Sequence, residues 1–257
     1  MISYATLFGF LFTLVRISCV FAFLPLGAFR AAPDAAKIAL ALTFTLLLFP
    51  EWKAPAGAQA GIGALAAGIS GEAVLGMAIG VALSVVLEAF QMAAQIVSLQ
   101  AGFGFASTFD PASGADSTVL LVLAQLTAGL LFFATGSDRL LVRALADSLK
   151  LAPPDSFSIQ RGWAEATIRF SAGIFVSGLR LAAPIVALLL LADAAMAVLG
   201  RIQSQIQLIG LTIPVKLAVA LLLIAMTLPF QPRFFESTMS SCIRLIEGML
   251  RGGPLGR

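Results

Sequence analysis

Apolar residues run almost unbroken through six stretches of this chain, at residues 4–29, 35–49, 71–100, 117–135, 164–199 and 213–228. A membrane-crossing helix needs about 20 mostly apolar residues. The second stretch is short by that measure and stops at Pro50, whereas the third and fifth are too long for a simple perpendicular crossing. The fourth carries no charge, and the last ends at Pro229. Turn signals separate them. Pro33-Asp34 reads as a helix start, Pro153-Pro154-Asp155 as a stop, and Pro214 as the first turn of the sixth helix, where a missing N–H costs nothing. The Ala/Gly-rich residues 54–70 are weakly specified.

Two segments alternate with helical period between apolar and charged positions. Beyond Asp138, a candidate cap, Leu140, Leu141, Ala144, Leu145, Ser148 and Leu149 oppose Arg139, Arg143, Asp147 and Lys150. Near the C-terminus, Phe235, Met239, Cys242, Ile243, Ile246 and Leu250 oppose Glu236, Ser240, Arg244, Glu247 and Arg251. Each predicts a helix with one wet face, lying on lipid or on protein.

The long apolar helices carry polar stripes of their own. Glu72, Gly76, Gly80, Ser84, Glu88, Gln91, Gln95, Ser98 and Gly102 recur at steps of three or four, which keeps them on one broad face. Gly76 and Gly80 form a small-xxx-small pair, which admits a second backbone at close range. On the fifth helix Arg169, Gly173, Ser177, Arg180 and Pro184 share a face, with Asp193 roughly opposite. A lone charge at bilayer depth costs about 2.5–3.5 kcal/mol even on lenient scales. Arg16, Glu72, Glu88, Arg169, Arg180, Asp193 and Lys216 therefore call for partners, either inside the chain or on neighbouring subunits.

Composition agrees with a chain whose solvent is lipid or protein. Of 257 residues, 60% are hydrophobic and 11% charged, against about 25% charged in a soluble domain. No polar linker divides it, so we expect one integral membrane domain over residues 1–257. The net charge of +3 is scattered and forms no nucleic-acid stripe. Histidine is absent, which removes the commonest general base and metal ligand. Cys19 and Cys242 have no ligand spacing and read as small buried hydrophobes. We therefore expect no catalytic, metal or cofactor site. The first residues carry no basic region ahead of the apolar run, so we expect them to stay in the mature protein. The basic residues do not fall consistently on one side of a six-span arrangement, so orientation stays open.

Residues 100–117 break the helical pattern with Gly102, Gly104 and Gly114, Pro111 and small polar residues, yet hold Phe103, Phe105 and Phe109. Non-helical backbone at membrane depth survives only inside protein or along a cavity. An aromatic constriction there would close a pore by excluding water; the alternative is an ordinary turn with aromatic anchors. Two glycine patterns, at Gly61-Ile62-Gly63 and Gly102-Phe103-Gly104, lack the strand that a nucleotide-binding turn requires.

The run from Ser98 to Ala106 followed by Asp110-Pro111 resembles the GLQxGLSxA…DP segment of the FliR family of flagellar and type III secretion export-gate proteins. Arg16 before Leu24-Pro25-Leu26, Glu72 with Gly76 and Gly80, Leu131-Phe132-Phe133 with Gly136, and Arg201, Gln205, Pro214 and Lys216 follow the family's order. Gly136-Ser137-Asp138 stands where the family has NGH, and Ser204 where it often has Pro. The resemblance implies an all-α membrane protein of kinked helical hairpins within a helical assembly of FliP-like and FliQ-like subunits. It also implies FlhB-like and FlhA-like neighbours, unfolded flagellar polypeptides as substrates, and a place in the flagellar basal body at the bacterial inner membrane. Gly102, Phe103, Gly104, Phe105, Phe109, Asp110 and Pro111 would belong to the pore plug. Arg16, Glu72, Gly76, Gly80, Glu88, Arg169, Arg180 and Lys216 would serve helix packing and subunit contacts. The flagellar branch fits best; the injectisome branch and an unrelated transporter or channel are the alternatives.

Overall fold

A computed structural model describes residues 4–24, 32–49, 62–103, 119–154, 161–202 and 208–251. All regular structure among them is helical: α1 (Tyr4–Phe23), α2 (Asp34–Leu47), α3 (Ile62–Ala101), α4 (Val119–Ala134), α5 (Ser137–Leu151), α6 (Arg161–Ile202), α7 (Leu208–Thr227), a 3-10 turn (Leu228–Phe230) and α8 (Gln231–Leu250). The protein is an all-α membrane protein. Four helical runs are long and apolar enough to cross a bilayer, at Thr6–Phe23, Ile62–Ala101, Glu165–Arg201 and Pro214–Leu250. A fifth crossing is possible if α4 and α5, bent by 68°, count as one.

Several local features differ from the sequence pattern. The second apolar stretch forms a helix of only 14 residues. The last apolar stretch and the C-terminal amphipathic segment join, because Pro229 sits at the start of the 3-10 turn, where it gives up no hydrogen bond. Pro214 lies inside α7 rather than opening it. The start of α5 is capped by Gly136 at φ +68°, a left-handed conformation natural to glycine. Asp138 falls in the first turn, where its charge faces the positive end of the helix.

The chain forms two compact units: residues 1–86, 132–172 and 236–257, and residues 87–131 and 173–235. In the first, α1 and α2 pack as neighbours, with Phe21 and Phe44 edge to face at 5.1 Å. The apolar stripe of α5 is buried through Leu141, Ala144, Leu145 and Leu149, and that of α8 through Met239, Cys242, Ile246 and Met249. In the second, the end of α3, α4, α6 and α7 meet in a core of small and branched side chains that includes Ala93, Val97, Ala101, Leu120, Ala182, Ile185 and Leu189. Its small residues let helix backbones approach, as membrane interfaces favour.

Candidate functional site

Arg16 interrupts the apolar face of α1 and is wholly buried. Its Nε donates to Glu72 Oε2 of α3 at 2.5 Å. Nη1 donates to the carbonyl and hydroxyl oxygens of Ser148 at 2.8 and 3.2 Å, and Nη2 to the carbonyl of Ala152 at 2.9 Å. Ser148 lies in the last turn of α5, where its carbonyl also accepts from the Ala152 amide at 3.0 Å, and Ala152 is the C-cap residue just beyond that turn, among the helix-end carbonyls that lack an intrahelical donor. One guanidinium thus joins three helices, balances a buried carboxylate and caps a helix C-terminus. A buried charge is tolerable only with such full satisfaction.

Gly76 and Gly80 sit beside the same helix. A Cβ at Gly76 would collide with the Arg16 carbonyl oxygen and come within 2.8 Å of Cys19 Cβ. One at Gly80 would meet Phe23 Cβ at 2.8 Å and Val20 O at 3.0 Å. The two glycines therefore set how closely α1 approaches α3, and that approach brings Arg16 and Glu72 into contact.

The second unit holds another polar centre in apolar surroundings. Asp193 Oδ1 lies 2.6 Å from Lys216 Nζ, and its Oδ2 accepts from Gln100 Nε2 at 3.0 Å. The cluster ties α6 and α7 to the last turn of α3. Immediately beyond, Gly102 turns the chain at φ +87°, and the amides of Gly102 and Phe103 return to the carbonyls of Leu99 and Ser98. This is the glycine-terminated helix end in which the left-handed residue needs no Cβ. Gln91, on the same stripe of α3, accepts from Gln125 of α4 at 3.0 Å.

The remaining sequence-selected residues are spread along the helices. Glu88 is half-buried on α3. Arg169 pairs with Glu165 one turn away at 2.6 Å on an exposed face. Arg180 is exposed, with no ion-pair partner among the described residues, beside exposed Val176 and Leu179. Gly104, Phe105, Phe109, Asp110 and Pro111 lie outside the described residues. Sequence reasoning did not find Ser148 and Ala152 as partners of Arg16, nor Gln100 beside Asp193. The available signal was Ser148 itself, a polar residue on the apolar stripe of α5.

The family description "Bacterial export proteins, family 1" matches residues 7–242 of this chain. The chain belongs to this export family. All the centres described above, from Arg16 to Lys216, fall inside the matched region. Among curated relatives, the flagellar biosynthetic protein FliR of Pectobacterium carotovorum is 29% identical over 244 residues, covering 94% of this chain and 92% of the relative. FliR of Escherichia coli K12 is 27% identical over 242 residues, with the same coverage. FliR of Bacillus subtilis is 25% identical over 219 residues, 84% of each chain. The likeness to these export-family members runs along nearly their whole length.

Proposed function

We propose that this chain is a subunit of the flagellar type III protein export gate, which helps form the pore for unfolded flagellar polypeptides and templates rod assembly. The observation that carries the reading is the match to the export family over residues 7–242, with relatives that are flagellar biosynthetic proteins. Their names favour the flagellar over the injectisome branch. The gate lies in the bacterial inner membrane, where the chain assembles with FliP-like and FliQ-like subunits and meets FlhB-like and FlhA-like components. The proton-motive force and a separate ATPase supply the energy; this chain does no covalent chemistry.

Two features support an assembled state. The best apolar window of the Glu165–Arg201 run is only 17% buried, and that of the Pro214–Leu250 run 6%. Arg180 adds an exposed cation to that apolar surface, a position that a partner carboxylate would relieve. The plug assignment for Gly102, Phe103, Gly104, Phe105, Phe109, Asp110 and Pro111 fits the helix end at Gly102 and rests otherwise on the family resemblance.

The test is co-expression with FliP-like and FliQ-like subunits, followed by affinity purification and native mass spectrometry, together with export of flagellar substrates in a strain that lacks the chain. A defined heteromeric complex and restored export are expected. A stable, monodisperse monomer that moves ions across liposomes would overturn the reading in favour of a transporter.

A further inference from the structure

We infer that the outward stripe of α6 from Val176 to Val198 seats one helix of a partner subunit, and that this helix carries a carboxylate at mid-span, opposite Arg180. The inference rests on the export-gate reading and specifies one of its contacts. Between those two ends, Arg180, Ala183, Ala187, Leu191 and Ala194 follow at steps of three and four, which holds them on one face. All of them are exposed, whereas Gly178, Ala182, Ile185 and Leu189 on the other side of α6 are buried. Arg180 is the one charge on the stripe, and the one charge within residues 170–192. As a helix that run is about 34 Å long, close to the ~30 Å of a hydrocarbon core. Arg180 falls at its centre, away from the helix ends where long cationic side chains snorkel to the interface.

Charge selects the occupant. Both carboxylates of α6 are engaged elsewhere, Glu165 with Arg169 and Asp193 with Lys216. Arg180 therefore needs an acceptor from outside the chain. The same turn also lacks a donor: Pro184, exposed beside Arg180 on the stripe, has no N–H, so the Arg180 carbonyl loses the bond that residue 184 would otherwise supply. Lipid tails offer neither acceptor nor donor. A second copy of this chain fails as well, because a two-fold pairing sets the stripe against an identical stripe that holds no acid. A helix of another subunit with an Asp or Glu at mid-span meets the charge. Ala183 and Ala187, next to Arg180, present only methyl groups, so that helix can approach closely where the ion pair forms.

The experiment uses the full chain co-expressed with FliP-like and FliQ-like subunits, with a benzophenone amino acid placed at Ala183 or Ala187 and the cross-links mapped by mass spectrometry. Both positions are expected to link to one partner helix, with an Asp or Glu within about two turns of the linked residue. Acids are rare inside apolar helices, so that coincidence is specific. Arg180→Glu is expected to lower the yield of purified complex at least about tenfold, because like charges then face each other across the contact. Changing the linked helix's acid to Arg in the same cells should restore the yield, which a variant that merely misfolds would not allow. Links to a helix without an acid, complexes that form with no link from α6, or a charge exchange that restores nothing would each overturn the inference and leave the export-gate reading standing. No complex at all with those subunits would overturn the export-gate reading, and this contact with it.

Discussion

Arg16 Nε stands 2.5 Å from Glu72 Oε2, and neither side chain has exposed surface. Removing one partner leaves the other charge buried, at a cost of about 3–5 kcal/mol. Arg16→Met should cost more than Glu72→Leu, because it also uncaps the Ser148 and Ala152 carbonyls. The double variant should be markedly less destabilised than the sum of the two. Denaturant unfolding of the chain in detergent measures all three; strictly additive losses would show that the pair is not coupled.

The glycines of α3 and α4 should respond in opposite directions. Gly76→Leu and Gly80→Leu force α1 away from α3 and should abolish folding or complex yield; even Ala collides at both positions. Gly129→Ala meets nothing within 4 Å and should stabilise α4 by up to about 1 kcal/mol. Thermal melting of the three variants beside wild type separates crowding from helix propensity. Tolerance of Leu at Gly76 would contradict the close approach.

Asp193→Ala strands Lys216 and takes the acceptor from Gln100. The pair is partly exposed, so the loss should be about 1–2 kcal/mol rather than that of a dry pair. The sharper readout is local. Amide hydrogen exchange should accelerate in the last turn of α3, around Ser98 to Phe103, while α5 keeps its protection. Unchanged exchange there would mean that the cluster does not hold the helix end.

Thr13 is fully buried, and its hydroxyl oxygen has no hydrogen-bond partner among the described residues. Thr13→Val keeps the shape and removes the unsatisfied group, so it should stabilise the chain by about 1 kcal/mol. A clear loss of stability in the same unfolding assay would point to a bond that the hydroxyl makes.

Periodicity made some of this structure legible. The stripe of α5 is buried through Leu141, Leu145 and Leu149, as its spacing of three and four requires. Arg16 stood out as a charge in an apolar run, and Glu72 headed a polar stripe. Their mutual partnership was not legible, because a helical repeat identifies a face without saying which other helix meets it. The Ser148 and Ala152 contacts span 132 and 136 residues of chain, beyond any local pattern. Local rules also misjudged two boundaries. Pro214 is accommodated within α7 because neighbouring helices and solvating groups can absorb one missing N–H. Gly136, rather than the more suggestive Asp138, begins α5 because the sharp bend after α4 needs a left-handed residue.

The helix end at Gly102 has a consequence for engineering. Phe103 packs against the same core cluster to which Leu120 belongs, so the two flanks of residues 104–118 are anchored in one place. The entropy of bringing those flanks together is already met by the core. An epitope or fluorophore inserted between 104 and 118 should therefore leave the melting behaviour of the chain nearly unchanged, and any effect of such an insertion on transport reports on that stretch rather than on a damaged scaffold.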